Sequence, residues 1–184
     1  MVHCNNCTSD INAWVKIFKE FQELMGMPVD MNQLYVNLFN AAATGNPDCG
    51  GVLSYNYVSG EPVTGLADGR PLFVRSANDK FNLANFMRAH LYGAIGVLKI
   101  GNDILLKEEK VQVDRITGHG GYFTTKGVGQ KMLAAALNSP ISVMETAGEG
   151  GAWGIALLAA YAVNNDKQLS LADYLDQVVF AGNA

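Results

Sequence analysis

The stretch GHGGYFTTKGVGQKMLAAALN, residues 118–138, places bare backbone between a predicted strand and a predicted helix. The β-forming residues VQVDRIT precede it, and an apolar run of helical composition ends it. A second strand, a second glycine-rich turn and a second helix follow directly. The predicted order is strand 111–117, glycine turn 118–121, helix 128–137, strand 140–145, glycine turn 147–151 and helix 152–163. This βαβα unit predicts an α/β fold with a mostly parallel sheet, because such crossovers return to the same sheet.

Both glycine turns follow the carboxyl end of a strand and precede the amino end of a helix. Open α/β sheets bind ligands at such places. Glycine lets a planar or anionic group approach the backbone, and the helix terminus offers unpaired N–H groups with partial positive charge. A nucleotide suits both properties. The pattern is neither G-x-G-x-x-G nor a phosphate loop, so glycines that serve only tight turns and close helix packing remain the alternative.

The rest of the chain reads as helices with a few short strands and no internal repeat. Ser9 or Asp10 is predicted to cap the first helix and Ser170 the last, and Asp30 is predicted to open the second. Gly93 and Gly96, three residues apart in a long helix, predict that another backbone packs closely there. The predicted elements are helix 9–25, a helix from 30 to about 45, strand 51–58, strand 71–75, helix 82–99, a helical segment 103–109 and a short helix after 170.

The composition is that of a globular protein and excludes some functions. The chain has 184 residues, of which 49% are hydrophobic and 16% charged, and a net charge of −4. Phosphate backbones attract basic surfaces, so no nucleic-acid partner is predicted. No apolar run reaches the ~20 residues of a membrane helix, and 152–163 is interpreted as a buried helix. Three cysteines, an odd number, and the lack of a signal peptide predict a cytoplasmic location.

Several stretches resemble the FGGY family of carbohydrate kinases. HGGYFTTKGVGQKMLAAALNSPISVMETAGEGGAWGIALLAAY, residues 119–161, is similar to the segments that form the adenosine side of the ATP site in that family. FNLANFMRAHLYGAI resembles the second family signature: Arg88, Ala89 and Gly93 match, and Tyr92 stands where an acidic residue is usual. CNNCTSDINAW and GGVLSYNYVSGEP resemble a xylulose-kinase-like branch.

The resemblance implies an actin-like ATPase (RNase H-like) lobe with a mixed sheet flanked by helices. It implies ATP and Mg²⁺ as cofactors, and transfer of the γ-phosphoryl group to a sugar hydroxyl, on a ketopentose such as xylulose. In this family the catalytic aspartate and the first phosphate hairpin belong to the N-terminal lobe. No second phosphate loop precedes residue 51. Residues 1–184 are therefore expected to be the C-terminal nucleotide-binding lobe, a fragment without the N-terminal lobe and inactive alone.

The family pattern assigns nucleotide contacts and no catalytic residue to this chain. Thr125 lies four residues after the second turn glycine, where relatives often have an asparagine that contacts the nucleotide. The glycines of the first turn would lie against adenine or ribose, and those of the second would form the opposite wall. The implied contacts are Gly120, Gly121, Thr125, Gln130, Gly150 and Gly151.

Other chemically capable residues receive structural interpretations. Cys4 and Cys7 form a C-x-x-C without two further ligands, so no metal site is predicted. His119 is expected to face solvent in its turn, with a ribose or phosphate contact as the alternative. His90 is expected in the core or an interface.

Glu145 and Glu149 flank the second turn and could form an acid–base or metal pair, but Glu145 is interpreted as structural. The three histidines do not assemble a Ser-His-Asp arrangement.

A non-enzymatic function is the second hypothesis. An actin-like half-fold could act through protein association, with small-molecule substrates absent. The face that docks the other lobe in a kinase is expected to be apolar, and a free-standing module would cover it by forming a homodimer.

Overall fold

The computed structural model describes residues 3–144, 147–164 and 168–181. It contains six α-helices and four short strands in these ranges. The helices are α1 Ser9–Leu24, α2 Met31–Ala43, α3 Leu83–Asp103, α4 Val128–Leu137, α5 Gly150–Asn164 and α6 Leu171–Tyr174. The strands are β1 Leu53–Tyr55, β2 Leu72–Val74, β3 Ile116–Gly118 and β4 Ile141–Val143. A π-helical turn, Ile104–Glu108, continues α3 where a further helical segment was predicted.

The βαβ prediction for the second half of the chain is confirmed. β3 and β4 pair in parallel, with Ile116 opposite Ile141 and Gly118 opposite Val143, and α4 connects them. The first strand is shorter than predicted, since 111–115 are not paired. β1 and β2 form a separate antiparallel pair. Within the described ranges the sheet is thus two pairs of strands, and the single mixed sheet that was expected is not seen there.

The predicted cap of α6 is confirmed, since the Ser170 hydroxyl oxygen accepts a hydrogen bond from the backbone N–H of Asp173 at 3.1 Å. Asp30, predicted to open the second helix, is the N-cap of α2, and its carboxylate accepts hydrogen bonds from the backbone N–H groups of Asn32 and Gln33 at 2.9 and 3.2 Å. α1 instead begins after Thr8, which makes no side-chain cap. The prediction of Ser9 or Asp10 was wrong, because Asp10 turns into the core toward His90.

The core lies between α1, α2, α3 and α4, with α3 at its centre. A Cβ added at Gly93 would lie 3.1 Å from the backbone oxygen of Ser54, so β1 does pack closely there. A Cβ added at Gly96 would meet no atom within 4 Å, so the prediction of a closely packed backbone was wrong for that residue. The buried core residues on these helices include Ile11, Val15, Leu38, Phe39, Met87, Leu91, Ile95, Met132 and Leu133.

Helix α5 is exposed, contrary to its interpretation as a buried helix. No residue of α5 is buried, and the side chains of Ile155 and Val163 are 68% and 79% exposed. Its ring contacts join the C-terminal segment, Trp153 to Phe180 and Tyr161 to Tyr174. An apolar helix stays exposed when nothing in its own chain covers it. Among the described residues, no helix combines the length and hydrophobicity that membrane crossing requires.

A buried polar cluster joins α1, β1 and α3. His90 is 1% exposed, which confirms the core interpretation. Its Nδ1 lies 3.1 Å from Asp10 Oδ2 and 2.8 Å from Ser54 Oγ, while its Nε2 is buried without a hydrogen-bond partner. The rings of Phe73 and Phe86 surround the imidazole. Protonation would leave an unpaired N–H donor among these rings, so the structure favours the neutral ring with its proton on Nδ1.

This cluster predicts lower stability in acid. Burial lowers the pKa of His90, against the smaller raising effect of Asp10. The unfolded chain, with a histidine pKa of about 6.5, therefore binds the proton more readily, and stability falls as the pH drops below about 6.5. We expect the urea midpoint to fall between about pH 7.5 and about pH 5.5. In His90→Asn, where an amide nitrogen can replace Nδ1, part of that dependence disappears. The exposed His119→Asn is the control, and an equal loss of dependence in both variants would contradict the assignment to His90.

Candidate functional site

The two glycine turns meet at one end of the parallel strand pair. A Cβ added at Gly148, in the second turn, would lie 3.2 Å from the methyl carbon of Thr124 in the first. A Cβ added at Gly150 would lie 2.9 Å from Cβ of His119. Because β3 and β4 run in the same direction, both turns follow the carboxyl ends of their strands. Fold geometry therefore brings together the two segments that the sequence pattern singled out.

The first turn presents open backbone. Gly120 has φ of 102°, a conformation that favours glycine, and Gly121 has no positive φ. The turn is closed by hydrogen bonds to the oxygens of these glycines, from the backbone N–H of Phe123 at 3.0 Å and that of Thr124 at 3.3 Å. No atom lies within 4 Å of a Cβ built on either glycine. A flat ligand can therefore reach this backbone without displacing a side chain.

A cavity of about 240 Å³ lies beside this turn, and we call it the turn pocket. Tyr35 and Phe39 on α2 and Asn12 on α1 provide its walls, and the Tyr35 hydroxyl donates to Asn12 Oδ1 at 2.9 Å. No charged side chain lines it. Aromatic rings, an amide and bare backbone suit a neutral, planar, hydrogen-bonding group. The lining residues are Thr8, Ile11, Asn12, Tyr35, Phe39, Gly121, Thr124 and Thr125.

A second cavity, of about 360 Å³, lies on the strand side of the same turn. This strand-end cleft contains Gln130, whose amide nitrogen donates to the backbone oxygen of Ile141 at 2.6 Å. The bond ties α4 to β4 and uses part of the amide's hydrogen-bonding capacity. The cleft is lined by Phe123, Thr124, Lys126, Gly127, Gln130, Val143 and Met144. Among the described residues, no carboxylate lines either cavity; Glu145, which follows Met144 in the chain, lies outside them.

The structure groups only some of the predicted contacts. Gly121 and Thr125 both line the turn pocket, where Thr125 is 6% exposed, and Gly120 precedes them in the same turn. Gln130 lies in the strand-end cleft, which shares Thr124 with the turn pocket.

The glycines of the second turn lie outside both cavities. The side chain of His119 covers Gly150, whereas a Cβ at Gly151 would meet no atom within 4 Å. His119 is itself exposed, as expected. Glu149 is exposed too, and Glu145 lies outside the described residues.

The sequence reading missed the wall opposite the glycines. Tyr35 and Phe39 are four residues apart on α2, a spacing that predicts one shared face of the helix. Phe39 is indeed buried, and its ring centroid lies 6.3 Å from that of Tyr35. An aromatic pair at this spacing predicts a core face and a pocket wall equally well, so only its position across from Gly121 distinguishes the two.

The cysteine pair shows no feature of a reactive or metal-bound thiol. Burial raises the pKa of both the Cys4 and the Cys7 thiol, and both are free. A raised pKa keeps a thiol protonated and poorly nucleophilic. In the part of the chain that the structure describes, no three histidine, cysteine or acidic side chains cluster as metal ligands.

Comparison with protein-family models gives a match over most of the chain. The model of the FGGY family of carbohydrate kinases, C-terminal domain, matches residues 1–163. A search of curated proteins found no match.

Solved structures of carbohydrate kinases share the fold. Xylulose kinase from Lactobacillus acidophilus superposes with a TM-score of 0.57 at 21% identity, over 74% of this chain and 27% of that one. Gluconate kinase from the same organism gives 0.56 at 20% identity over the same shares. Xylulose kinase from Rhodospirillum rubrum gives 0.54 at 19% identity, over 77% of this chain and 27% of that one. The chain therefore spans under a third of the length of these kinases.

Proposed function

The chain belongs to the FGGY family of carbohydrate kinases, and we propose that residues 1–184 are the nucleotide-binding lobe of such an enzyme. The observation that carries the proposal is the turn pocket, where the open backbone of Gly121 faces aromatic walls at the carboxyl end of a parallel strand pair. Adenosine is a planar, neutral, hydrogen-bonding group of the kind that this lining favours. The volume, about 240 Å³, is below the roughly 300–1,000 Å³ of complete ligand sites. Such a size agrees with a lobe that holds part of its ligand.

The adenosine assignment gives each residue of the site a separate role in binding. Gly120 and Gly121 let the base or ribose lie on the backbone, Tyr35 and Phe39 exclude water from its face, and Thr125 contributes a polar edge. Gln130, Gly150 and Gly151 are proposed to contact the nucleotide from the neighbouring cleft and turn. When bound, ATP and Mg²⁺ supply the transferable phosphoryl group and neutralise its charge. The metal ligands and the catalytic base are proposed to lie in the N-terminal lobe, as the family resemblance implies; no carboxylate among the described residues lines either cavity.

The proposed reaction of the complete enzyme is transfer of the γ-phosphoryl group of ATP to a sugar hydroxyl. We propose a ketopentose such as xylulose as the acceptor, which the resemblance to the xylulose-kinase-like branch and two of the structural neighbours support. A gluconate kinase matches with a nearly equal TM-score, so the identity of the sugar has to be determined by experiment. The free thiols at Cys4, Cys7 and Cys49 agree with a reducing compartment, for which we propose the cytoplasm.

Filling the turn pocket should weaken nucleoside binding without unfolding the chain. We expect Gly121→Leu to weaken adenosine binding at least about tenfold, because the new side chain projects from the pocket wall into space that no atom occupies. The measurement is an NMR titration of the 184-residue chain with adenosine and with ATP, following the amides of residues 118–125. Binding by the isolated lobe is expected to be weak, in the millimolar range.

Gly96→Leu is the matched control for this titration. Gly96 also has open space at its Cβ position, lies on α3 and is not in the turn pocket. If Gly121→Leu binds adenosine as well as Gly96→Leu does, or if the unmodified chain shows no shifts at 118–125, the adenosine assignment is wrong. A coupled ADP-release assay with pentose ketoses tests the wider proposal, since robust turnover by residues 1–184 would contradict the assignment of catalysis to another lobe.

The exposed surface of α5 supports the second candidate, a non-enzymatic module that acts through association. Ile155, Leu158 and Val163 are each about half exposed or more, and exposed apolar surface of this kind marks interfaces. In the kinase proposal the same surface is covered by other parts of the enzyme. Sedimentation velocity separates the two: a stable, symmetric dimer that Ile155→Glu dissociates favours the module, and a chain that stays monomeric favours the kinase lobe.

A further inference from the structure

A basic cavity adjoins the strand-end cleft at the amino terminus of α4, where Lys126 and Gly127 line both. This cavity, which we call the basic pocket, has a volume of about 330 Å³ and lies between α2, α3 and α4. Its lining includes Arg88, Lys126 and Lys131 as the charged residues, together with Asn40 and Tyr92. The remaining lining residues are glycine or apolar, and no acidic side chain from the described part of the chain lines the pocket.

Arg88 has hydrogen-bonding capacity that its neighbours do not use. One terminal nitrogen donates to the backbone oxygen of Ala42 at 3.4 Å, and the other to the hydroxyl of Tyr92 at 3.2 Å. Its Nε is buried and has no hydrogen-bond partner among the described residues. The guanidinium group lies 5.3 Å from the Tyr92 ring centroid. Among the described residues only neutral groups accept hydrogen bonds from this half-buried side chain, whereas arginine commonly pairs with a carboxylate or a phosphate.

The two lysines increase the excess of positive charge at the basic pocket. Lys126 and Lys131 form no ion pair with any described residue, and both are exposed at the mouth of the pocket. The first turn of α4 begins at this pocket, and no side chain caps it. Its N–H groups add partial positive charge on the same side. The chain as a whole carries a net charge of −4, so this concentration of positive charge is local.

We propose that the basic pocket binds the dianionic phosphate group of a small ligand. Three cations and a helix amino terminus around one cavity match a doubly charged tetrahedral anion, and the planar fork of arginine suits two phosphate oxygens. The volume admits inorganic phosphate or a small phosphate ester. The site is separate from the turn pocket, since the two cavities share no lining residue.

The test uses inorganic phosphate as the probe and the full 184-residue chain. We expect saturable, millimolar phosphate binding in an NMR titration, with the largest shifts at the amides of Lys126, Gly127 and Lys131, and weaker binding as chloride concentration rises. A pentose monophosphate and ATP form further arms. Phosphate displaced by the pentose monophosphate identifies the ligand as a phosphorylated metabolite, and phosphate displaced by ATP but not by adenosine identifies it as the nucleotide.

Two pairs of variants distinguish a specific phosphate site from nonspecific electrostatic attraction of phosphate. Lys131→Gln should weaken phosphate binding about tenfold, whereas Lys16→Gln, which removes an exposed charge from α1, should leave it unchanged. Tyr92→Glu places a carboxylate four residues from Arg88 on the same helix, where it occupies the guanidinium, and should also weaken binding about tenfold. Tyr92→Phe keeps the ring and should bind phosphate at least as tightly as the unmodified chain.

Three results would overturn the proposal: no saturable shift with phosphate, equal binding by Lys131→Gln and Lys16→Gln, or unchanged binding by a folded Tyr92→Glu. Circular dichroism verifies that each variant is folded, and Lys131 is exposed, so at least one informative variant keeps its structure. The phosphate and adenosine titrations report on different amides. Failure of the basic pocket therefore leaves the nucleoside assignment standing, and failure of the turn pocket leaves phosphate binding standing.

Discussion

Replacing Glu61 by alanine is expected to lower the free energy of unfolding by about 4 kcal/mol, the largest effect of any substitution considered for this chain. Glu61 is 0% exposed although it lies in a loop. One carboxylate oxygen accepts three hydrogen bonds, from the backbone N–H groups of Asn5 and Asn6 and from the Asn6 side chain, at 3.0, 3.2 and 3.1 Å. Alanine would remove the acceptor from the buried donors of Asn6, although the Asn6 amide keeps its bond to the Ser59 backbone oxygen, and an acceptor lost in a buried site costs more than one lost in water.

The same interaction attaches the N-terminal segment to the rest of the chain. Asn6 also accepts hydrogen bonds from the backbone N–H groups of Val58 and Ser59, both at 2.9 Å. Loss of Glu61 should therefore release residues 3–8 first, and limited proteolysis should cut there in the variant. Urea unfolding measures the total effect.

Glu20→Ala and Glu61→Gln complete that experiment. Glu20 is exposed on α1, so its removal should change the free energy of unfolding by at most about 0.5 kcal/mol. Glutamine keeps the shape and one acceptor oxygen, so Glu61→Gln should lie between the other two variants. If Glu61→Ala and Glu20→Ala have the same urea midpoint, the carboxylate does not anchor this segment.

Glu61 also illustrates what the sequence could not predict. A glutamate between glycine and proline has the pattern of a surface loop residue. Its burial depends on two asparagines about 55 positions earlier, and no local pattern reports that distance. Asp10 is similar: its position favours a helix cap, but His90, 80 residues later in the chain, draws it into the core.

Features that depend on residues close together in the sequence were predictable. The change from strand to helix periodicity around residues 118–138, with its glycines, predicted the parallel βαβ unit, which the structure confirms. The same glycines predict a ligand position, which stays a prediction, and the turn pocket lies beside them. Tyr35 could not be assigned to that pocket in advance, because a helical stripe does not reveal which of its members face a cavity.

The exposure of α5 has a different origin. Its composition is apolar on every side, which predicts burial without saying what provides the cover. Within the described ranges the chain offers only the C-terminal segment, through Trp153 and Tyr161. The interpretation of α5 as a buried helix was therefore wrong within the described ranges, and the cover that its hydrophobicity predicts is not provided by the residues described there.

Replacing Gly129 by alanine is expected to destabilise the chain by about 3 kcal/mol and to lower Tm by about 6–12 °C. Gly129 is the second residue of α4, and a Cβ there would lie 2.1 Å from the backbone oxygen of Tyr122 and 2.7 Å from its ring. Tyr122 cannot easily retreat, because its ring is buried and its hydroxyl donates to the backbone oxygen of Leu91 at 3.0 Å. α4 must therefore move away from the turn that carries Gly121.

Differential scanning calorimetry measures the loss of stability in Gly129→Ala, and the adenosine titration measures the effect of the displaced α4 on ligand binding. Gly154→Ala is the matched control, since Gly154 is also helical but has no atom within 4 Å of its Cβ position. There alanine should be neutral or stabilising by up to about 1 kcal/mol, because it favours the helix. A Gly129→Ala chain with the Tm of the control would contradict the close packing of α4 on Tyr122. Under the nucleotide proposal, the variant should also bind adenosine more weakly at temperatures where it remains folded, because the contact at Gly129 fixes the distance between α4 and the open backbone of the first turn.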